Sequence, residues 1–349
     1  MSKRIMWFLL VFVTLLPLSV QAQEGVTIAD IVTLNVEAEQ PEFTIFQQVV
    51  QSAEPTLSTW FSDPAVKITV FAPTDVAFNT YFEQTATSLE AFLGNPFLLN
   101  SVLANHVVPA VLDSTALMSL GAQNAFAGTG LENSLLVFSH NADVTQVNGA
   151  NLVAIDLAAS NGVLHVVDHV LSPSEDLSAA VALSASETDE PEIALGTLTE
   201  LVGQSAVAET PEFVILNDAI EVSDGILRDA LNATPPLTLF APTDSAFVSL
   251  LAAMSLSDAD LVADVPLVNT LVAYHIVPGR FSLSTLMNLA SSSADGIRLA
   301  TTLPGQTLWV SSLSGTPVIN GYVNLVGADV QASNGVMNVI DAVLTPSNE

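Results

Sequence analysis

Two hydrophobic rhythms run along this chain, and they come in the same order twice. Thr27-Ile-Ala-Asp-Ile-Val32 and Phe43-Thr-Ile-Phe-Gln-Gln-Val-Val50 place apolar residues three and four apart, as do Leu198-Thr-Glu-Leu-Val202 and Phe213 to Ile220. That period predicts helices with one apolar face. Each pair leads into a short apolar run, Val70-Phe71 or Leu239-Phe240, read as a strand that Pro73 or Pro242 ends. Thr74-Asp75 and Thr243-Asp244 then offer side-chain oxygens to cap the next helix. Further helices start near Asn95-Pro96 and Asp264-Val265-Pro266, with Pro in the first turn, and stop before Pro109 or Pro278. From there turn chemistry dominates. Asn148-Gly149 and Asn161-Gly162, like Asn320-Gly321 and Asn334-Gly335, predict hairpins with tight turns, and the last strands are Val163 to Leu171 and Val336 to Leu344.

The doubling is visible at the level of residues. Thr69 to Phe78 matches Thr238 to Phe247, Leu103 to Pro109 matches Leu271 to Pro278, and Ala159 to Val163 matches Ala332 to Val336. Phe71 and His106 lie 35 positions apart, as do Phe240 and His275. A repeat of this kind means one structural unit written twice. The expected organisation is a secretory leader at residues 1–22, a first unit at 24–173, an acidic linker at 174–192, a second unit at 193–346 and a tail at 347–349. Each unit reads as α+β, with helices packed on a mainly antiparallel sheet or sandwich.

The leader rests on Lys3 and Arg4, the apolar stretch Ile5 to Leu16 and the small-residue site Val20-Gln21-Ala22. The apolar run stops at Pro17, short of the roughly 20 residues that span a bilayer, and no later stretch is long enough. The formal charge is −30; without the leader only Lys67, Arg228, Arg280 and Arg298 oppose 36 acidic residues. Such a surface repels phosphate backbones, so nucleic acid is excluded as a partner. The absence of Cys excludes thiol chemistry and Cys-ligated metals.

No motif of a nucleophile elbow, zinc helix, Walker loop or dinucleotide fingerprint occurs, so neither catalysis nor a cofactor is expected. His165-Val-Val-Asp-His169 holds two imidazoles four apart. On a strand those lie roughly 13 Å apart, too far for one zinc ion. Their counterparts are Asn338 and Ala342. Ser257-Asp258-Ala-Asp260 reads as a capped helix start. His106 and His275 are expected half-buried with one fixed partner, a carboxylate supplied by Asp168 or Asp341. Trp60, Trp309 and Tyr322, isolated among apolar residues, are expected in the core.

Taken together, Thr-x-Phe-Ala-Pro-Thr-x-x-Ala-Phe, the His-Val-Val-Pro segment and Ala-Ser-Asn-Gly-Val-x-His-Val-Val-Asp-x-Val-Leu resemble the fasciclin (FAS1) domain family, over nearly the whole chain beyond the leader. The resemblance implies a wedge-shaped β-sandwich carrying several helices, a secreted or surface location, and a non-catalytic role in cell adhesion, matrix or biofilm through extracellular proteins or glycans. The family's Tyr-His pair, tied to adhesion in animal members, falls on Tyr274-His275, with Asn105-His106 in the first unit. Its Asp-Ile element meets Asp156-Leu157 and Asp329-Val330. These residues are the candidate partner contacts. Phe71, Pro73, Thr74, Asp75, Asn161, Gly162 and Asp168, with Phe240, Pro242, Thr243, Asp244, Asn334, Gly335 and Asp341, are the structural motif positions. Because some members of the family bind carotenoids, the alternative is a carrier holding a lipophilic molecule between helices and sheet. The mean hydropathy of +0.53 permits it.

Overall fold

The computed structural model describes residues 25–132, 134–141, 144–173, 195–232, 235–293, 295–313 and 315–346. The expected leader, the acidic linker and the tail lie outside them. In the first unit the helices are α1 (Ile28–Val36), α2 (Thr44–Ser52), α3 (Pro55–Ser62), α4 (Asp75–Thr85), α5 (Leu89–Leu93), α6 (Pro96–Asn105) and α7 (Ser114–Ala122). The strands are β1 (Ile68–Pro73), β2 (Val107–Val108), β3 (Phe126–Gly128), β4 (Leu135–Asn141), β5 (Val144–Val147), β6 (Ala150–Ala159) and β7 (Gly162–Val167). Their spatial order is β2-β1-β7-β6-β5-β4-β3, antiparallel except for β1 beside β7.

The second unit repeats the plan. It has α8 (Leu198–Ala206), α9 (Val214–Val222), α10 (Gly225–Asn232), β8 (Leu237–Pro242), α11 (Asp244–Met254), α12 (Asp258–Ala263), α13 (Val265–Tyr274), β9 (Ile276–Pro278) and α14 (Leu283–Ser291). Then come β10 (Ile297–Ala300), β11 (Thr307–Leu313), β12 (Thr316–Ile319), β13 (Val323–Ala332) and β14 (Gly335–Ile340). The helix starts follow the capping chemistry. Thr27, Thr197 and Ser257 each form a reciprocal capping box with Asp30, Glu200 and Asp260.

Every unit has two apolar layers. Helices α1 to α6 close over one face of β1 and β7, where Phe43, Phe46 and Phe61 meet edge to face and Phe78, Phe82 and Phe92 form a second aromatic group. Phe71 faces the other way, into a core with Phe138, Leu117 and Leu120 of α7. Helices α7 and α14 stand where the hydrophobic pattern predicts only turns and strands. Asp113 and Ser282 cap them, and Leu117 with Leu120, or Leu286 with Ala290, turn inward. Nine-residue helices with so few buried positions, in Ser-containing segments, carry too weak a period to stand out from their neighbours.

The two sheets meet edge to edge. Strand β3 of the first unit lies parallel to β10 of the second, with Phe126 opposite Leu299, so one 14-stranded order runs through both. Ala300 is buried in the first unit's core, and Phe126 and Leu135 pack on the second unit's core. Backbones approach closely here: a Cβ on Gly128 would lie 2.2 Å from the Pro278 carbonyl oxygen. Ser119 Oγ donates to the Gly305 carbonyl at 2.9 Å, Thr307 Oγ1 donates to Gln123 Oε1 at 2.8 Å, and Arg280 faces Glu132 at 3.5 Å.

The Asn-Gly pairs divide into two kinds. Asn148 and Gly149 both take positive φ and close the β5–β6 hairpin, as expected of such a turn. Asn161-Gly162 is different: Ser160 and Asn161 make the β6–β7 connection, and Gly162 is the first residue of β7. At φ +141 a Cβ there would fall 1.8 Å from the Ile68 carbonyl oxygen, and one on Gly335 would fall 2.2 Å from that of Leu237. Gly162→Ala should therefore cost roughly 3 kcal/mol or more, since backbone must move. Gly149→Ala, with open space around it, should cost only about 1 kcal/mol of left-handed strain. Urea midpoints of the two variants check this order.

Candidate functional site

The motif residues gather where helix ends enter the core. Thr74 Oγ1 accepts from the Ala77 N–H at 3.1 Å and Thr243 Oγ1 from that of Ala246 at 3.2 Å, capping α4 and α11 as expected. Asp75 does otherwise. Its carboxylate accepts the Ile45 and Thr44 N–H groups at 2.7 and 3.2 Å, capping α2, whose own N-cap residue Phe43 has no side-chain oxygen. Asp244 serves Ile215 and Val214 of α9 in the same way, at 2.9 and 3.1 Å. One Thr-Asp pair thus fixes two helix starts, its own and one about 30 residues earlier.

Asn161 is fully buried. Its Oδ1 accepts from Ile28 N–H at 2.8 Å, and its Nδ2 donates to the Trp60 and Phe61 carbonyls at 3.2 and 3.0 Å. It ties the start of α1 to α3 and to the β6–β7 connection. Asn334 repeats the knot with Leu198 N–H at 2.9 Å and the Leu231 carbonyl at 2.7 Å. Thr69 Oγ1 donates to Ala110 and accepts from Leu112; Thr238 does the same with Gly279 and Phe281.

The expected His–Asp pairing does not form. His106 Nδ1 lies 2.7 Å from the Val102 carbonyl oxygen, and its Nε2 accepts from Leu171 N–H at 2.8 Å. His275 has Leu271 and Leu344 in those roles, at 2.7 and 2.8 Å. Each ring is a neutral tautomer with Nδ1–H donating, and it stitches a helix C-terminus to the chain beyond the last strand. Burial drives both pKa values down to about 4, against a smaller upward pull from the helix carbonyl. Asp168 and Asp341 instead bind Asn151 and Asn324, each taking a backbone N–H and the side-chain amide at 2.7 to 2.8 Å. They lie just past β7 and β14, off the apolar face.

The candidate partner contacts are also relocated. Tyr274, His275, Asn105 and His106 are all buried. Asn105 donates to the Leu171 carbonyl at 2.8 Å and accepts from Ser134 Oγ at 2.6 Å. Tyr274 Oη donates to the Thr307 carbonyl at 2.9 Å and accepts from Asn320 at 3.2 Å. Asp156 and Asp329 sit at φ +60 in the irregular middle of β6 and β13. Their carboxylates accept the first N–H groups of α7 and α14, Ser114 at 2.8 Å and Leu283 at 2.7 Å. A further pair escaped the sequence. His165 accepts from Asp156 N–H and reaches the Leu112 carbonyl, and Asn338 copies both bonds with Asp329 N–H and Phe281. His aligned with Asn signals a hydrogen-bonding role that both can fill. His165 has neither nitrogen left for a metal. Among the described residues no three His, Asp or Glu side chains converge as ligands.

These geometries define a duplicated α+β scaffold whose signature side chains satisfy backbone groups inside the fold. Residues 41–173 and 211–346 each match the Fasciclin domain, and the chain belongs to that family. Protein sll1483 of Synechocystis sp. is 31% identical over 171 residues, covering 48% of this chain and 87% of that protein. Human periostin is 27% identical over 283 residues, covering 80% of this chain and 28% of its own length. A solved FAS1 domain pair from the insect cell adhesion molecule Fasciclin I aligns over 86% of this chain and 95% of that one, at 19% identity and a TM-score of 0.36.

The buried histidines give a pH signature. Below about pH 6.5 the unfolded chain takes up protons that folded His106 and His275 refuse until about pH 4. Stability present above pH 6.5 is therefore lost as pH falls through that window, by roughly 3 kcal/mol per ring when both limits are crossed. Urea unfolding from pH 8 to 4 should show this slope, and His106→Gln should remove about half of it, leaving the His275 share in place.

Proposed function

We propose that this protein is a non-catalytic adhesion module, exported and displayed outside the cell, that attaches to extracellular proteins or glycans by surface contact in an adhesive or biofilm matrix. The observation that carries this reading is an apolar pattern exposed at equivalent places in both units. Met118 on α7 and Val153 on β6 are 50% and 56% exposed; Met287 on α14 and Val326 on β13 are 39% and 60% exposed. In the first unit Met118, Val144, Leu152 and Ile155 line one groove of about 310 Å³. Exposed apolar residues repeated in this way on an otherwise acidic surface favour contact with another macromolecule. Two such faces on one chain raise avidity without either binding tightly.

Family membership supports the adhesive role, and the sequence of the first 22 residues supports export. Among the described residues no helix is long and apolar enough to cross a membrane. Between helices and sheet of the second unit, the cavity lined by Leu216, Phe247, Leu271 and His275 has about 10 Å³, barely the size of one water.

Surfaces coated with the purified protein should retain cells of its native community, and the protein should carry no visible absorbance. Val153→Glu together with Val326→Glu should lower retention by about tenfold or more while each single change lowers it less. Retention unchanged in the double variant, with the melting temperature also unchanged, rules the apolar faces out.

A further inference from the structure

The junction of the two units holds a cleft of about 750 Å³, within the usual range of roughly 300–1,000 Å³ for ligand sites. Its floor is a row across three neighbouring strands of the second unit. Arg298 of β10 stands opposite Trp309 of β11, and Asn320, just after β12, exchanges two hydrogen bonds with the Trp309 backbone at 2.9 and 2.7 Å. Tyr322 flanks the row and Tyr274 closes it from below. The wall comes from the first unit: Ser119, Ala122 and Gln123 at the end of α7. Ser119 and Gln123 are the residues whose bonds to Gly305 and Thr307 clamp the units together.

Three features of this cleft set it apart from the rest of the surface. The first is charge. Lys67 donates to two carbonyls, Arg228 pairs with Glu221, and Arg280 binds Glu132, Gln331 and two carbonyls. Among the described residues Arg298 alone of the cations has neither hydrogen bond nor ion pair, although the chain carries 36 acidic residues. Its positive charge is felt at the Tyr274 hydroxyl, whose pKa burial raises and the Asn320 hydrogen bond and, more weakly, Arg298 pull back. The second is the aromatic pair. Tyr322 is 53% exposed and Trp309 partly so, against the expectation that both belong to the core. Trp309 is held in place by its Nε1–H donating to the Asp295 carbonyl at 2.7 Å.

The third is divergence between the copies. In the first unit Val137 and Asn148 make the same two hydrogen bonds, at 2.7 and 2.9 Å, and Phe126 stands opposite Val137. The scaffold bonds are thus identical, but Phe126-Val137 occupies the place of Arg298-Trp309. The hydrogen bonds that the two copies share require only the Asn. The cation and the indole are additions to one copy, at the place where the other copy's α7 completes a cleft.

From this arrangement we infer that the junction cleft binds a carboxylate-bearing sugar of an acidic polysaccharide, with the Arg298 guanidinium forked on the carboxylate and Trp309 and Tyr322 against the sugar ring. A planar guanidinium matches a carboxylate in two parallel hydrogen bonds. Aromatic side chains offer an apolar face with a polar edge, which suits a pyranose that has C–H groups on one side and hydroxyls around its rim. The negative protein and a negative polymer repel at long range. At physiological salt a Debye length of about 8 Å screens that repulsion, while the contact at Arg298 acts within about 3 Å. Binding should accordingly strengthen as salt rises from about 10 to 150 mM, the reverse of a diffuse electrostatic attraction.

Calorimetry of the full chain with oligogalacturonate, its methyl-esterified form and a neutral glucose oligomer tests this. The expected result is binding of the acid form, weakened at least about tenfold by esterification and by Arg298→Gln, about threefold by Arg298→Lys, and at least about tenfold by Trp309→Val, the residue of the other copy. Equal binding of ester and acid, an undiminished Arg298→Gln variant of normal melting temperature, or no binding of the acid form at 150 mM salt each overturns the inference. The site is separate from the apolar faces: Val153→Glu with Val326→Glu should leave sugar binding unchanged. Failure here therefore leaves the adhesive reading standing, and the reverse holds too.

Discussion

Helices in this fold end in or beside the core, where water reaches few of their free N–H and C=O groups, and that constraint organises most of the polar side chains the motifs contain. An unpaired buried backbone group costs on the order of 1–3 kcal/mol, and each unit has several helix ends to satisfy. Asn161, Asp75, Thr74, His106 and Asp156 are the solutions in the first unit, and Asn334, Asp244, Thr243, His275 and Asp329 in the second. Apart from Thr74 and Thr243, which cap their own helices, each side chain bonds a residue at a distance, and most of them join elements far apart in sequence. The buried imidazoles are polar connectors of the same kind, and their low pKa is a consequence of that burial.

Because the polar work is internal, recognition falls to what the two copies place outside. Duplication makes the distinction visible within one chain. Residues that differ between copies can still fill one structural role: His165 and Asn338 keep both hydrogen bonds, so their difference carries no chemistry. Arg298-Trp309 and Phe126-Val137 share a frame and differ in everything a ligand would touch. Joining the units through β3 and β10 then adds a surface that neither copy has alone, with the floor from one and the wall from the other.

Much of the architecture could be read from linear patterns. The repeat, the α+β class, the first helix pairs, the strand preceding Pro73 and Pro242, and the caps at Thr74 and Thr243 are local matters of period and capping, and they appear where the residues indicate. The hidden parts are those in which a side chain acts at a distance. Asp75 looks like a cap for the helix it begins and instead caps α2. Asn161-Gly162 looks like a turn and is a knot beside a glycine that a carbonyl oxygen crowds. His106 suggests a carboxylate partner, yet the partners are backbone atoms of Val102 and Leu171, which carry no sequence signal.

By itself the sequence determined that one unit is written twice, that its helices and strands follow a shared order, that no thiol chemistry is available and that the surface is strongly acidic. Those properties depend on local spacing and on composition, which the linear chain contains in full. Tertiary structure alone decided that the Tyr-His pair is buried, that Tyr322 is exposed, and that Arg298, Trp309 and Asn320 form one row facing α7 of the other unit. Sheet register and the meeting of β3 with β10 bring those residues together, and such pairing between segments far apart in sequence depends on the packing of the whole fold.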